Sequence, residues 1–250
     1  MVVTIIIPTF NRAKYIGSAI RSLTRQAGDL KLDILVVDDG STDETAQILH
    51  EFQMQIKGLR VITKVNCGVT AARNTGLANL LPETEFVTFL DSDDVSPPSA
   101  IASQVETLVS NPSIDLFYGT LLMVDDIDEE TLEPSPNAKT MKFTCIQLSC
   151  AMFRRRVIDT VGLFDEDFIQ AEDTDYFLRV FEAGTSFIQT DTVCLYYRRH
   201  ADNLTKRLAE SRREFLRALS KSMQRRRANP ELNIHKPSFD LQQVGQADFY

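Results

Sequence analysis

The chain has 250 residues, 43% hydrophobic and 25% charged, with a formal net charge of −8. Such values describe a folded protein with a real core, one compact domain by size, and exclude wholesale disorder, a collagen-like fibre and a disulfide-stapled miniature. No apolar run reaches the roughly 18–20 residues of a membrane span, and Met1 leads straight into the apolar Val2–Ile7, so neither a spanning helix nor a secretory leader is expected.

In chain order, Val3–Pro8 reads as a strand and Ala13–Leu23 as a helix, with Ile16, Ala19, Ile20 and Leu23 at helical spacing. Leu32–Val37 is a second strand. Ser41 and Glu44 then have capping-box spacing and predict a helix through His50. A third strand, Leu59–Lys64, precedes a helix over Ala71–Leu81; a fourth, Phe86–Leu90, precedes a helix over Pro97–Val109. This rhythm predicts an α/β protein with a doubly wound parallel sheet, whose ligands sit beyond the carboxyl ends of the strands. Leu116–Val124 reads as a further strand, and the acidic, proline-bearing Asp125–Lys139 as a mobile loop. Thr144–Arg154, Ile158–Phe164, Asp173–Ala183 and Thr192–Arg199 form a mixed second half. Leu204–Met223 predicts an amphipathic helix with Leu208, Phe215, Leu216, Leu219 and Met223 on one stripe, and the chain after Asn229 reads as a polar tail.

Charge is unevenly distributed. Nine Lys/Arg and two acids between Lys206 and Arg227 give a local +7, leaving −15 for the remainder. An acidic body argues against nucleic acid as a partner. The basic helix has three open readings: a face packed on its own domain, a dock on anionic lipid, or a subunit interface. Cys67, Cys145, Cys150 and Cys194 make no CxxC pair, and His50, His200 and His235 complete no zinc spacing with them, so reduced thiols are expected.

Three acidic clusters fall where the chemistry of such a sheet belongs. Asp38-Asp39-Gly40-Ser41 follows the second strand; its acids suit a ribose or base N–H, or simply a turn with helix caps. Asp91-Ser92-Asp93-Asp94 follows the fourth strand, as a platform for a hard cation and a diphosphate or as a solvated loop. Glu172-Asp173-Thr174-Asp175 opens a helix, where acids favour the helix dipole or serve as a general base. The first turn, Pro8-Thr9-Phe10-Asn11-Arg12, lacks a glycine fingerprint, which excludes a dinucleotide site and argues against a sugar nucleotidyltransferase.

The ordered series IIIPTFNR, VVDDGSTDET, NCGVTAARNTGL, FLDSDD, GLFDEDF, AEDTDYFLRVFEAG and YYRRH resembles the family 2 glycosyltransferases, from about Val3 to about Thr205. The resemblance implies a GT-A-type fold: a mostly parallel, Rossmann-like nucleotide-sugar-binding half over residues 1–110 and a mixed acceptor and catalytic-base half over 111–205. A basic helix over 206–229 and a tail over 230–250 would follow. It implies a nucleotide-sugar donor, UDP-sugars first, and inversion at the sugar carbon. Pro8, Thr9 and Asn11 would line the nucleotide, Asp39 would meet the base, and Arg73 would lie beneath it. Asp93 would hold Mn2+ or Mg2+, with Asp91 nearer the ribose, Asp94 sharing the work, and His200 completing the metal shell. Asp173 of the Glu172-Asp173 pair would be the catalytic base.

The implied act is a single transfer, in surface polysaccharide or glycolipid assembly, to a saccharide, glycolipid or protein acceptor. The setting would be cytoplasmic, with peripheral contact to the inner membrane face through 206–227. The alternative is a non-catalytic domain that binds nucleotide-sugars or scaffolds other transferases. No QxxRW-type motif follows Asp173, which argues against a processive synthase. With no Trp in the chain, Phe10, Tyr118, Phe153 and Tyr176 are the aromatic candidates for a sugar platform.

Overall fold

A computed structural model describes residues 1–26, 30–200, 208–232 and 234–239. Its first half is built from β1 (Val2–Thr9), α1 (Ile16–Thr24), β2 (Lys31–Asp38), α2 (Thr45–Gln55), β3 (Leu59–Thr63), α3 (Val69–Ala78) and β4 (Thr84–Phe89). These strands pair in parallel in the order β3-β2-β1-β4. β1 is buried along its whole length and the last six residues of β2 with it, as strands covered on both faces must be. The chain steps outward from β1 to β3, then returns to set β4 on the other side of β1. Strand order reverses there, and a crevice opens beyond the ends of β1 and β4.

The second half comprises α4 (Ala100–Ser110), β5 (Leu116–Val124), β6 (Thr140–Phe143), β7 (Ala151–Arg154), α5 (Arg155–Val161), α6 (Glu172–Glu182), β8 (Phe187–Arg198) and α7 (Leu208–Ala228). β7 joins the halves by running antiparallel to β4. Along β5, Leu116–Tyr118 pairs with β7 and Leu121–Val124 with β6, both antiparallel, while β8 runs parallel to it. The result is the anticipated architecture, a parallel nucleotide-type half joined to a mixed half.

A polar clasp ties the first four strands together at the end away from the crevice. Arg60 on β3 donates to both oxygens of Asp33 on β2 at 2.7 Å, Thr4 on β1 donates to Asp33 at 2.9 Å, and Thr84 on β4 lies 2.8 Å from Thr4.

Four expectations need correction. The capping box does not form: Ser41 Oγ accepts the Asn11 amide, and α2 starts four residues later with Asp43 accepting the Thr45 amide. The Asp125–Lys139 segment is held in place. Arg25 donates to the Glu130 and Thr131 carbonyls, Ser18 and Arg198 donate to Glu129, and Ile127 and Leu132 are buried with Val95 and Val124. Tyr118, Phe153 and Tyr176 lie fully in the core. The stripe of α7 is also turned: Leu216 and Met223 are exposed, while Glu214, Ala218 and Ser222 face inward.

α7 packs on its own domain through a polar seam. Arg225 donates to Glu182 and Asp175, Ser222 to Glu182, and Lys221 to Asp165. Several cations of the basic segment are thereby neutralised by acids of α6 and of the turn before it. The predicted start of this helix, residues 204–207, lies outside the described residues. Of the tail, Ile234 and Phe239 pack on the core and Ser238 exchanges hydrogen bonds with Gln189 of β8; residues 240–250 lie outside the described set. The four cysteines are free thiols.

Candidate active site

The crevice is a cleft of about 930 Å³. From the sheet half, Pro8, Thr9, Asp39, Arg73, Asp91 and Asp93 line it; Glu172 and Asp173 line it from the mixed half. Asn11 stands off the wall. Its amide donates to Ser41 Oγ and its Oδ1 accepts the Thr42 amide, so it braces the two turns that flank the cleft.

Asp39 follows β2 and is buried. Its carboxylate accepts Lys64 Nζ at 2.8 Å, the Cys67 amide at 3.0 Å and the Gly68 amide at 2.7 Å. Two glycines permit this. Gly40 has φ +77°, and a Cβ there would meet Asn66 N and Lys64 O at 3.0 Å; Gly68 has φ +92°, in the region that disfavours side chains. The acid is thus fixed against the turn before α3, with one edge on the cleft.

After β4 the three acids part company. Asp91 accepts Arg73 Nη2 at 2.9 Å and Gln147 Nε2 at 3.4 Å. Asp93 Oδ2 accepts Arg12 Nε at 3.3 Å and lies 3.1 Å from His200 Nε2. Burial opposes ionisation of Asp93, but the hydrogen bond with His200 and the charge of Arg12 outweigh it and hold its carboxyl below the usual range. Asp94 instead points into the protein and accepts the Arg198 amide at 2.9 Å. Burial, with Asp93 and Asp91 nearby, pushes Asp94 well up, which suits a neutral tether between β4 and β8 and not the metal-sharing role anticipated for it.

His200 is off the cleft wall, with its Nε2 3.1 Å from Asp93 Oδ2. Among the described residues no three His, Cys, Asp or Glu form a preformed cation cage. Two carboxylates on an open wall nevertheless fit a hard cation that takes its remaining oxygens from a diphosphate and water.

Across the cleft, Ala171 adopts a left-handed φ of 59° immediately before α6 and turns Glu172 and Asp173 toward the strand ends. Glu172 is buried against the Arg73 guanidinium, which also holds Asp91; one arginine thus couples α3, β4 and α6. Asp173 keeps one oxygen on the Thr174 amide at 2.6 Å. Loss of water around it, then repulsion from Glu172, push its carboxyl up to about 7, against the pull of Arg73. A carboxylate so placed suits proton abstraction near neutrality.

Residues outside the recognised motifs complete the wall. Gln147, Ile169, Gln170 and, from α7, Ser211, Arg212 and Phe215 all face the cleft, beside Arg12 of the first turn. Of the four aromatic candidates only Phe10 lines it, 41% exposed. Tyr197 and Phe215, the latter noted in the sequence only as part of a stripe, are further aromatics there.

A parallel nucleotide-type half with acids at its strand ends, faced by a mixed half that carries a carboxylate pair, is the architecture of GT-A glycosyltransferases. The chain belongs to glycosyl transferase family 2, whose sequence model matches residues 4–162. It is 27% identical over 189 residues to the minor teichoic acid biosynthesis protein GgaA of Bacillus subtilis, covering 70% of this chain and 42% of that one. It is 27% identical over 228 residues to the chondroitin synthase of Escherichia coli, covering 89% and 33%. The chain therefore spans less than half the length of these two curated relatives. Among solved structures, S. aureus TarS 1–349 in complex with UDP-GlcNAc is similar with a TM-score of 0.70 at 22% identity, over 89% of this chain and 65% of that one. A mannosyltransferase of Pyrobaculum calidifontis, in complex with GDP-Man and Mn2+, follows with a TM-score of 0.67 at 20% identity, over 89% and 64%. The structural likeness establishes the fold.

Proposed function

We propose that this chain is an inverting glycosyltransferase that moves a sugar from a UDP-sugar to an acceptor hydroxyl, in the assembly of a surface polysaccharide or glycolipid. The observation that carries the reading is the convergence of Asp39, Asp91 and Asp93 from one half and Asp173 from the other on a single cleft. Pro8, Thr9 and Asp39 would take the nucleoside, above the Arg73 floor, and Asp91 the ribose side. Asp93 and Asp91, with His200 behind, would hold Mn2+ or Mg2+ against the diphosphate. A cation bound there supplies Lewis-acid charge where the leaving group becomes more negative.

The rest follows from the chain's own groups. Asp173 takes the acceptor hydroxyl proton as that oxygen attacks the anomeric carbon; the bond to the diphosphate breaks on the opposite face, and its electrons leave with the nucleotide. One base suffices for a single displacement, in contrast to the paired carboxylates of retaining glycoside hydrolases. The relatives named for teichoic acid and chondroitin, and the neighbour holding UDP-GlcNAc, support the polysaccharide setting and the UDP preference. The family match ends at residue 162, so the role of Asp173 rests on geometry and on the sequence resemblance.

Asp173→Asn tests it. Transfer should fall by about 10²–10⁴-fold while UDP affinity stays within about twofold; undiminished turnover would remove Asp173 as the base.

A further inference from the structure

One stretch of the cleft wall belongs neither to the donor site nor to the base. Beyond Asp173 the wall is made by Ile169 and Gln170, on the segment entering α6, and by Ser211, Arg212 and Phe215 of α7. The two pieces are fastened together. Ser211 Oγ donates to Gln170 Oε1 at 2.5 Å, Arg217 donates to the Asp167 carbonyl at 2.8 Å, and both Arg217 and Lys221 stand over the Phe168 ring.

Charge on the wall is unbalanced. Among the described residues of the wall, Asp39, Asp91, Asp93, Glu172 and Asp173 face three arginines, which leaves two net negative charges. Arg12 is engaged by Asp93, and Arg73 by Glu172 and Asp91. Arg212 is exposed and has no carboxylate partner among the described residues. It stands with Phe215 and with Ile169, itself 66% exposed, so a free cation borders an apolar surface in an otherwise acidic cleft.

We propose that this wall is the acceptor subsite, and that Arg212 receives an anionic group, phosphate or carboxylate, carried by the acceptor near its attacking hydroxyl. The proposal rests on the glycosyltransfer reading. A net negative cleft repels an anionic acceptor unless a local cation offsets the field, and the planar guanidinium fork suits either anion. Because α7 is fastened to the segment that carries Asp173, an acceptor held by Arg212 is also positioned against the base. Ile169 and Phe215 offer the apolar faces against which a sugar or polyol packs.

The test uses a ribitol phosphate oligomer and a glucuronate-terminated disaccharide, each beside its neutral counterpart, ribitol and a glucose-terminated disaccharide. Calorimetry follows their binding to wild type, Arg212→Gln and Arg212→Lys with UDP and Mn2+ saturating, and UDP affinity is measured separately. At least one anionic probe should bind, about tenfold or more tighter than its neutral partner, the effect of one charged hydrogen-bonding group. Arg212→Gln should erase that preference, Arg212→Lys should restore part of it, and UDP affinity should not change. Equal binding of charged and neutral probes, or of none, by a protein that binds UDP would overturn the proposal. So would weakened UDP binding in Arg212→Gln with probe binding unchanged, which would assign the arginine to the donor's diphosphate. Failure of the wild type to bind UDP is a separate result, which overturns the glycosyltransfer reading and this proposal with it.

Discussion

Arg73 is the residue on which the site's two halves meet. It is buried between Glu172 and Asp91, and its positive charge lowers the Asp173 carboxyl that burial and Glu172 raise. Two consequences follow at this scale. As the proposed base Asp173 would work ionised, so with its carboxyl raised to about 7, kcat/KM should fall as the pH drops below that value and level off above it. In Arg73→Gln the opposing charge is gone, Asp173 rises further, and the acid limb of the profile should move to higher pH. The same variant leaves Glu172 buried without its cation, a loss of about 3–5 kcal/mol visible as a lower melting temperature. An acid limb unmoved in a folded Arg73→Gln would show that Asp173 is not the group that titrates. Some of this is legible in the sequence: the acids stand out because they end strands and open a helix. That Arg73 clasps Glu172 is not, because the two are brought together only by tertiary packing.

At the scale of elements, the parallel strands are locked by side chains as well as by their ladders. Asp33 accepts two bonds from Arg60 and one from Thr4, joining β1, β2 and β3 far from the cleft. Asp33→Ala should cost about 1–3 kcal/mol in denaturant unfolding and leave UDP affinity unchanged, since it strips partners from Thr4 and Arg60 without touching the cleft. Stability equal to wild type would show the clasp to be inert. Strand and helix positions could be read from periodicity, because each strand's burial is written in its own residues. The capping box at Ser41 misled, since its side chain was claimed by Asn11, thirty residues earlier in the chain. The stripe of α7 misled similarly: its inward face is chosen by Asp165, Asp175 and Glu182, which no helical pattern within α7 reveals. Aromatic rings carry no positional mark either, so three of the four candidate platforms were core residues.

For the whole molecule, the mixed sheet sets a nucleotide-type half and a carboxylate-bearing half on the two sides of one crevice. The switch in strand order at β1 and β4 opens that crevice, and α7 closes its far side. A nucleoside diphosphate and a divalent cation should bind there together, and everything proposed for the chemistry depends on it. Calorimetric titration of the purified chain with UDP, with and without Mn2+, in wild type and Asp93→Ala, decides the matter. Mn2+ should tighten UDP binding about tenfold or more, as a cation bridging a carboxylate and a diphosphate does, and Asp93→Ala should remove this gain. A folded protein that binds no UDP, or binds it equally well with and without the metal, would contradict the assignment of the cleft.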